Sequence, residues 1–314
     1  MRRLSESPES SAESSSIRLP TLSVVVAFRK SERCVFDCLQ SLLDMDYPFE
    51  KLDVIAVDDG RDDSTVEALR RRFPVIRIVR NEASRGSDKA KQLGVEAATG
   101  DVLALTDADC TVHPRWGRVI ARNLADGADA VTGPVRHPKV FLKELIGVSD
   151  FQDFQGVRRQ PASAFPGCNF AADRDAFQAI AYRRNGDLDF GSDRLTSWQM
   201  HQSGSRMVFD PEMVVYHSPS VSIAGIWERR LRYGRKALAL RKLDGTLPGS
   251  AITRLGPLAA PAYVCYRSAK DAYRLLEMAG HRIVNPWHVP LLIPALIFFR
   301  MMDAAGIVSS QFRR

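Results

Sequence analysis

Five cysteines in 314 residues, at positions 34, 38, 110, 168 and 265, form an odd and scattered set. That excludes a disulfide framework and leaves reduced, buried, small hydrophobes as their expected use. No Cys/His grouping has zinc spacing. No G-x-G-x-x-G follows the first apolar run, and no G-x-x-x-x-G-K-S/T occurs, which speaks against a dinucleotide cofactor and against a P-loop. With neither zinc-finger spacing nor an RNA-binding aromatic signature, no nucleic-acid partner is expected. The N-terminus lacks an apolar segment, so no signal peptide is expected; residues 1–18 hold seven serines, three acids and three bases and read as a disordered tail. Long charge-free runs are missing too. The run 289–299 is eleven residues, too short to cross about 30 Å of hydrocarbon as a helix. Extending it to 308 takes in Arg300 and Asp303, three apart on a helix and able to pair. With Trp287 and His288 as interfacial residues, the expectation is a helix docked in, or shallowly inserted into, a membrane, with a single span or a soluble packing helix as the alternatives.

Acidic residues are outnumbered, 37 to 44, and the excess is local. Between 225 and 245, seven bases face two acids, a stretch suited to phosphates or an anionic membrane surface. The rest of the chain alternates strand and helix. Leu22-Ser23-Val24-Val25-Val26-Ala27-Phe28 is a buried strand, followed by a helix that Ser31 caps. Leu52-Asp53-Val54-Ile55-Ala56-Val57 ends in Asp58-Asp59-Gly60, Val75-Ile76-Arg77-Ile78-Val79 is a third strand, and Val102-Leu103-Ala104-Leu105-Thr106 leads to Asp107-Ala108-Asp109. Asp129-Ala130-Val131-Thr132-Gly133 is a fifth. Such alternation predicts βαβ units and a mainly parallel sheet. Two acidic clusters then stand at strand tips, where ligands of open α/β sheets bind. Two carboxylates one residue apart need a cation or water. Further on, a helix is predicted over 142–157, a hairpin over 206–217 and a basic helix over 222–243.

In this order the motifs resemble family 2 glycosyltransferases of the GT-A fold, over about residues 20–240. The resemblance implies a GT-A, Rossmann-like, mainly parallel sheet flanked by helices, with a C-terminal membrane-associated helical segment. It divides the chain into a tail (1–19), a GT-A domain (20–245, with a nucleotide half 20–135 and an acceptor half 136–245) and the C-terminal segment (246–314). Phe28 matches the aromatic that lines the base pocket, and Asp59 the aspartate that contacts uracil. Asn81 with Gly86-Ser87-Asp88-Lys89 resembles the N-x-G-K segment, which puts Arg85 or Lys89 near the donor. Asp107-Ala108-Asp109 matches the D-x-D, with Asp109 on the metal, Mg2+ or Mn2+, and Asp107 on ribose or the metal's waters. Gly167-Cys168-Asn169-Phe170 resembles the acceptor-side strand, so Gly167 and Asn169 face the acceptor. Asp193 is the matching base, although Ser192 stands where the family has glutamate. Arg229-Arg230-Leu231-Arg232-Tyr233 replaces Q-x-x-R-W, retaining Arg232, with Arg229, for the diphosphate; tyrosine in place of tryptophan argues against a polymer-extruding synthase. His217 resembles a position that the family fills with histidine, and a structural hydrogen bond is expected of it.

The implied activity is metal-dependent, inverting, non-processive transfer of a sugar from a nucleotide donor, UDP-linked, to a hydroxyl acceptor. A lipid-linked or membrane-proximal acceptor and the cytoplasmic face of a membrane follow from the basic helix and apolar tail. Two other readings stand beside it. A sugar-phosphate nucleotidyltransferase uses a similar sheet but wants a glycine-rich basic loop after the first strand. A nucleotide-sugar-binding membrane protein without catalysis would account for Ser192.

Overall fold

The computed structural model describes residues 19–29, 32–60, 63–82, 86–180, 192–219, 222–243, 245–247 and 259–311. The serine-rich tail, Ser31, Arg85 and residues 189–191 lie outside them. Strand and helix alternate in the first half: β1 (Leu22–Phe28), α1 (Glu32–Leu43), β2 (Leu52–Asp58), α2 (Asp63–Arg72), β3 (Arg77–Arg80), α3 (Ser87–Ala97), β4 (Val102–Asp107), β5 (Cys110–Val112), α4 (Trp116–Ala125), β6 (Ala130–Thr132) and β7 (Val135–Arg136). Then come α5 (Phe141–Phe151), β8 (Gln160–Pro161), β9 (Phe170–Asp173), α6 (Arg174–Ile180), α7 (Ser192–Gln202), β10 (Met207–Phe209), β11 (Val215–His217), α8 (Ile223–Leu243), α9 (Ala259–Gly280) and α10 (Val289–Gln311).

An eight-stranded sheet runs β3-β2-β1-β4-β9-β6-β10-β8. Its first four strands are parallel, and β9 is inserted antiparallel to both β4 and β6. The β-branched run of β1 is central and buried on both faces, as a parallel strand between helical layers must be. Helix α3 lies so close to β1 and β2 that a Cβ on Gly94 would meet Val25 and Val57 at 3.0 Å or less. The close approach brings the N-terminal half of α3 up to the tips of β2 and β4.

The expected hairpin over 206–217 does not form. Strand β10 pairs with β6 and β8, whereas β11 joins a second, three-stranded sheet, β5-β11-β7. The intervening turn is pinned to α4. Asp210, buried, accepts from Arg122 Nη2 and Asn123 Nδ2, both at 2.7 Å, and its amide donates to Thr132 O at 2.8 Å. These long-range bonds outweigh local strand pairing and send the chain from one sheet to the other.

Helices α9 and α10 pack with α5 and α8 around a core that includes Leu145, Ile146, Ile226, Leu275, Leu292 and Leu296. Inside it lies a chain of ion pairs. Arg300 Nε meets Asp271 Oδ2 at 2.6 Å and Arg300 Nη1 meets Asp303 Oδ2 at 2.8 Å, so the intrahelical pair expected from the sequence forms, with a second carboxylate on Arg300. Arg230 bridges Asp150 (3.1 Å) and Asp303 (3.3 Å), and Arg229 holds the other oxygen of Asp150 at 2.8 Å. Helices α8 and α10 cross where Gly234 faces the backbone of Asp303 and Gly306; no Cβ fits at either glycine. The outer side of α10 is exposed and uncharged: Trp287, just before its first turn, Leu291, Pro294, Ile297, Phe298 and Met301 fall at the spacing of one helical face. By length and composition, 286–310 is apolar enough to cross a membrane.

Candidate functional site

The tips of β1, β2 and β4 converge on two acidic turns. At the tip of β2, Asp58 is buried and forms an Asx turn, accepting from Gly60 N at 2.8 Å, while its Oδ2 has no partner among the described residues. Asp59 is buried as well. Its Oδ1 accepts from Asn81 Nδ2 (2.6 Å), its Oδ2 from Gly86 N (3.1 Å), and its amide donates to Phe28 O (2.9 Å). Phe28 is only 2% exposed and belongs to the main core, so the ring expected to line a base pocket is spent on packing. The reason is register: Phe28 stands between β2 and β4 on the face that α1 covers. The buried orphan acceptor on Asp58 is a candidate that the sequence did not single out.

At the tip of β4, Asp107 Oδ1 sits 2.5 Å from Lys91 Nζ, which also donates to Gly167 O at 2.8 Å. Gly167 N in turn donates to Asp193 Oδ2 at 3.1 Å. One continuous chain thus links Asp107, Lys91, Gly167 and Asp193. Lys91 is buried on α3, whereas Lys89, the expected donor-side lysine, is half-exposed with no polar contact to the acidic turns. The signal was legible: Lys91 lies in the buried stripe Ala90, Lys91, Gly94, Val95, and a lysine there needs an anion. Asp193, in the first turn of α7, also accepts from Arg194 N at 2.8 Å. Burial and the nearby charge of Asp88 push its carboxyl pKa above the usual value, against the lowering effect of those backbone donors and Lys91.

Asp109 faces the other way. Its Oδ2 lies 3.2 Å from His217 Nε2, and His217 Nδ1 lies 3.0 Å from His137 Nε2. Burial opposes ionisation of Asp109, but the His217 hydrogen bond and charge, with Arg229 behind them, hold its pKa below the usual carboxylate value. His137 is depressed to about 3, first by burial and then by the charge of His217, and it hydrogen-bonds the backbone of Val135. One imidazole thus meets a carboxylate at Nε2 and a second imidazole at Nδ1. Among the described residues, Asp109, Cys110 and His217 are the group whose ligand atoms lie within 4.8 Å of one another. Burial and the neighbouring Cys168 keep the Cys110 thiol protonated, leaving a carboxylate and an imidazole as the fitting donors for a divalent cation.

Asn169, expected to face the acceptor, spends its side chain in the core. It is fully buried, accepting from Trp116 Nε1 (2.9 Å) and donating to Pro134 O (3.1 Å) and Met213 O (2.7 Å), so it ties α4 to two turns. An amide with both donors satisfied inside the core has none left for a ligand. Arg232 is exposed on α8, with no contact to either aspartate of the D-x-D. Arg229 is held by Asp150 and by Tyr233, whose hydroxyl lies 3.0 Å from its Nε, and its charge still acts on Asp109.

A model of glycosyl transferase family 2 matches residues 23–181. The chain belongs to that family. Asp193 and His217 both lie beyond the matched residues, so their placement comes from the fold. Glycosyltransferase AglE of Haloferax volcanii is 31% identical over 121 residues, covering 37% of this chain and 40% of that relative. The chain therefore spans well under two thirds of that relative's length. Among solved structures, the mannosyltransferase PcManGT from Pyrobaculum calidifontis, in complex with GDP-Man and Mn2+, superposes with a TM-score of 0.60 at 21% identity, over 94% of this chain and 88% of that one. GalNAc-T7, solved with UDP, GalNAc and Mn2+, gives 0.55 at 15% identity over 70% and 51%. Both likenesses establish the GT-A fold.

Proposed function

We propose that this family member is a divalent-metal-dependent, inverting, non-processive glycosyltransferase that moves a sugar from a nucleotide donor to a hydroxyl acceptor. The observation that carries the reading is the placement, on either side of one strand tip, of the Asp109–His217 pair and the Asp107–Lys91–Gly167–Asp193 chain. Asp109 and His217 would hold the ion, Mn2+ or Mg2+, and such an ion supplies positive charge to a leaving diphosphate. The base would lie at the Asp58-Asp59 turn, where Asp58 Oδ2 is unpaired among the described residues, and UDP is the favoured donor. Asp193 takes the proton from the acceptor hydroxyl as that oxygen attacks the anomeric carbon, and its raised pKa suits it to that task. The bond from the anomeric carbon to the diphosphate breaks with the electron pair leaving on phosphate, and attack from the opposite face inverts the centre. Lys91 fixes Asp107 and, through Gly167, the position of Asp193. Since the neighbours described above hold GDP-Man in one case and UDP in the other, the test is turnover of UDP- and GDP-sugars with Mn2+, comparing wild type with Asp109→Ala and Asp193→Asn. Full activity in both variants sinks the assignment; nucleotide binding with no turnover of any donor favours the non-catalytic reading.

The same reading puts the protein on a membrane, at its cytoplasmic face. The uncharged outer side of α10, extended by Trp227 of α8 (6.3 Å from Phe298), suits the interfacial zone of a bilayer, with Arg232 exposed on α8 for anionic headgroups. The charged residues of α10 are turned inward and paired, so shallow docking leaves no charge in the apolar layer.

A further inference from the structure

Asp109 and His217 stand in one wall of a cavity of about 980 Å³ whose other walls carry Arg136, Lys139, Lys143 and Arg282. Among the described residues none of these four cations has a carboxylate within ion-pair distance, and the other carboxylate on the cavity wall, Asp37, is exposed. Two of the cations reach the chain around the Asp109–His217 pair. Lys143 Nζ, half-buried on α5, donates to Ser218 Oγ at 2.7 Å, and Ser218 N donates to Asp109 O at 2.9 Å. Arg136, also half-buried, directly precedes His137, whose ring meets His217, and its Nη1 donates to Gln155 Oε1 at 2.7 Å. Partly buried cations held only by neutral groups lack the counter-charge that such burial calls for.

The third cation comes from the far end of the chain. Helix α9 closes with Arg282 N donating to Ala279 O (3.0 Å) and Ile283 N to Met278 O (2.8 Å), and Arg282 takes φ 55° at the position where glycine is the usual residue. The turn beyond it is fastened to α5. Glu144, buried and next to Lys143, accepts from Asn285 N at 2.7 Å and meets His288 Nδ1 at 2.5 Å. Two consecutive residues of α5 therefore hold this turn and line the cavity, and Arg282 enters the same chamber from well outside residues 23–181. The arginines that the sequence offered to the diphosphate are meanwhile engaged elsewhere: Arg232 is exposed on α8, and Arg229 is held by Asp150 at 2.8 Å.

We propose that the terminal phosphate of the leaving diphosphate lies in this cavity, held by Arg136, Lys143 and Arg282, so that the C-terminal helices complete the donor site as well as face the membrane. The assignment rests on the glycosyl-transfer reading and names the side chains that receive its leaving group. As the bond between the anomeric carbon and the phosphate oxygen breaks, the electron pair stays on that oxygen, and these three side chains meet the charge with charge-assisted hydrogen bonds. Asp193 lies across the tip of β4, with Asp107 and Lys91, so leaving group and proton acceptor stand on opposite sides, as displacement with inversion requires.

Calorimetry on the full chain with Mn2+ compares UDP with UMP, and GDP with GMP, pairs that differ by the phosphate in question. Wild type is expected to favour the diphosphate. Arg136→Gln and Lys143→Met each reduce that preference roughly ten- to a hundredfold, the scale of a lost hydrogen bond to a charged group, and Arg282→Gln reduces it in the same direction. Monophosphate affinity stays at the wild-type value, which shows that the variants fold and still take the base. Arg232→Gln leaves the preference intact. An unchanged preference in the three cavity variants overturns the proposal, as does its loss in Arg232→Gln, which returns the leaving group to α8. Equal falls in mono- and diphosphate affinity make the cations structural and overturn it as well. Absence of nucleotide binding by wild type instead strikes the glycosyl-transfer reading, and the proposal with it.

Discussion

At the residue scale, the site is built from side chains that restrain one another. His137 touches no proposed ligand atom, yet its Nε2 lies 3.0 Å from the far ring nitrogen of His217. Replacing it with leucine is expected to weaken Mn2+ binding roughly 10–100-fold, the usual effect of losing the partner that orients a metal-ligating imidazole, as titrated calorimetrically in the presence of a nucleoside diphosphate. For Asp193, the asparagine variant is expected to lose about 10²–10⁴-fold in turnover with unchanged donor affinity. Its pH dependence has a definite sign. Only the ionised carboxylate accepts the proton, so activity is present above its pKa and lost as pH falls through it. Burial and then Asp88 raise that pKa, so the acid limb of the rate profile stands above the ordinary aspartate value, and Asp88→Asn is expected to move it to lower pH. A limb that stays put in that variant removes Asp193 from the rate law.

At the element scale, α10 combines two surfaces of opposite demand. Its inner side carries Arg300 and Asp303, both buried and matched to Asp271 and Arg230. Removing one member strands its partners: Arg300→Met is expected to cost about 3–5 kcal/mol, read from the midpoint of urea unfolding at unchanged slope. The glycine contact between α8 and α10 makes a second prediction. Gly306→Ala forces the helices apart at Leu231 and Gly234 and is expected to destabilise by roughly 1–3 kcal/mol in the same assay. The basic helix read from the sequence shares its cations among three tasks. Arg230 is buried in the ion-pair chain, Arg229 reaches from Asp150 toward Asp109, and Arg232 stays in solvent.

At the scale of the whole molecule, a positively charged chain with one uncharged, exposed helical face is suited to a bilayer surface. Binding to anionic vesicles is expected to weaken with salt, through screening of the basic residues. Trp287→Ser with Phe298→Ser is expected to abolish the salt-resistant part, measured by co-sedimentation; salt-resistant binding that survives in the double variant removes α10 from the contact. Acid should also loosen the C-terminal helices. Burial opposes ionisation of Asp150, but Arg230 and Arg229 hold its folded pKa below the unfolded value. Its stabilisation is therefore complete above the unfolded pKa and is lost as pH falls through the folded one.

Much of this was legible in the linear chain. Apolar runs of period and length suited to strands placed β1, β2 and β4, and with them Asp58, Asp59, Asp107 and Asp109 at their tips, because that information is local. Pairing choices were not local. Whether Lys89 or Lys91 enters the site depends on which side of α3 packs on β1, and Gly94 decides it. Asn169 looked exposed to an acceptor but is claimed by Trp116, 53 residues away. Residues 206–217 read as a hairpin until Asp210 met Arg122, 88 residues away. His217 reaches Asp109 only because β11 pairs with β5 across a second sheet. By itself the sequence determined the strands, the acidic tips and an uncharged helix near its end, since these follow from neighbours along the chain. Tertiary structure alone decided which cations and histidines meet those carboxylates, since buried charges take the partners that topology delivers.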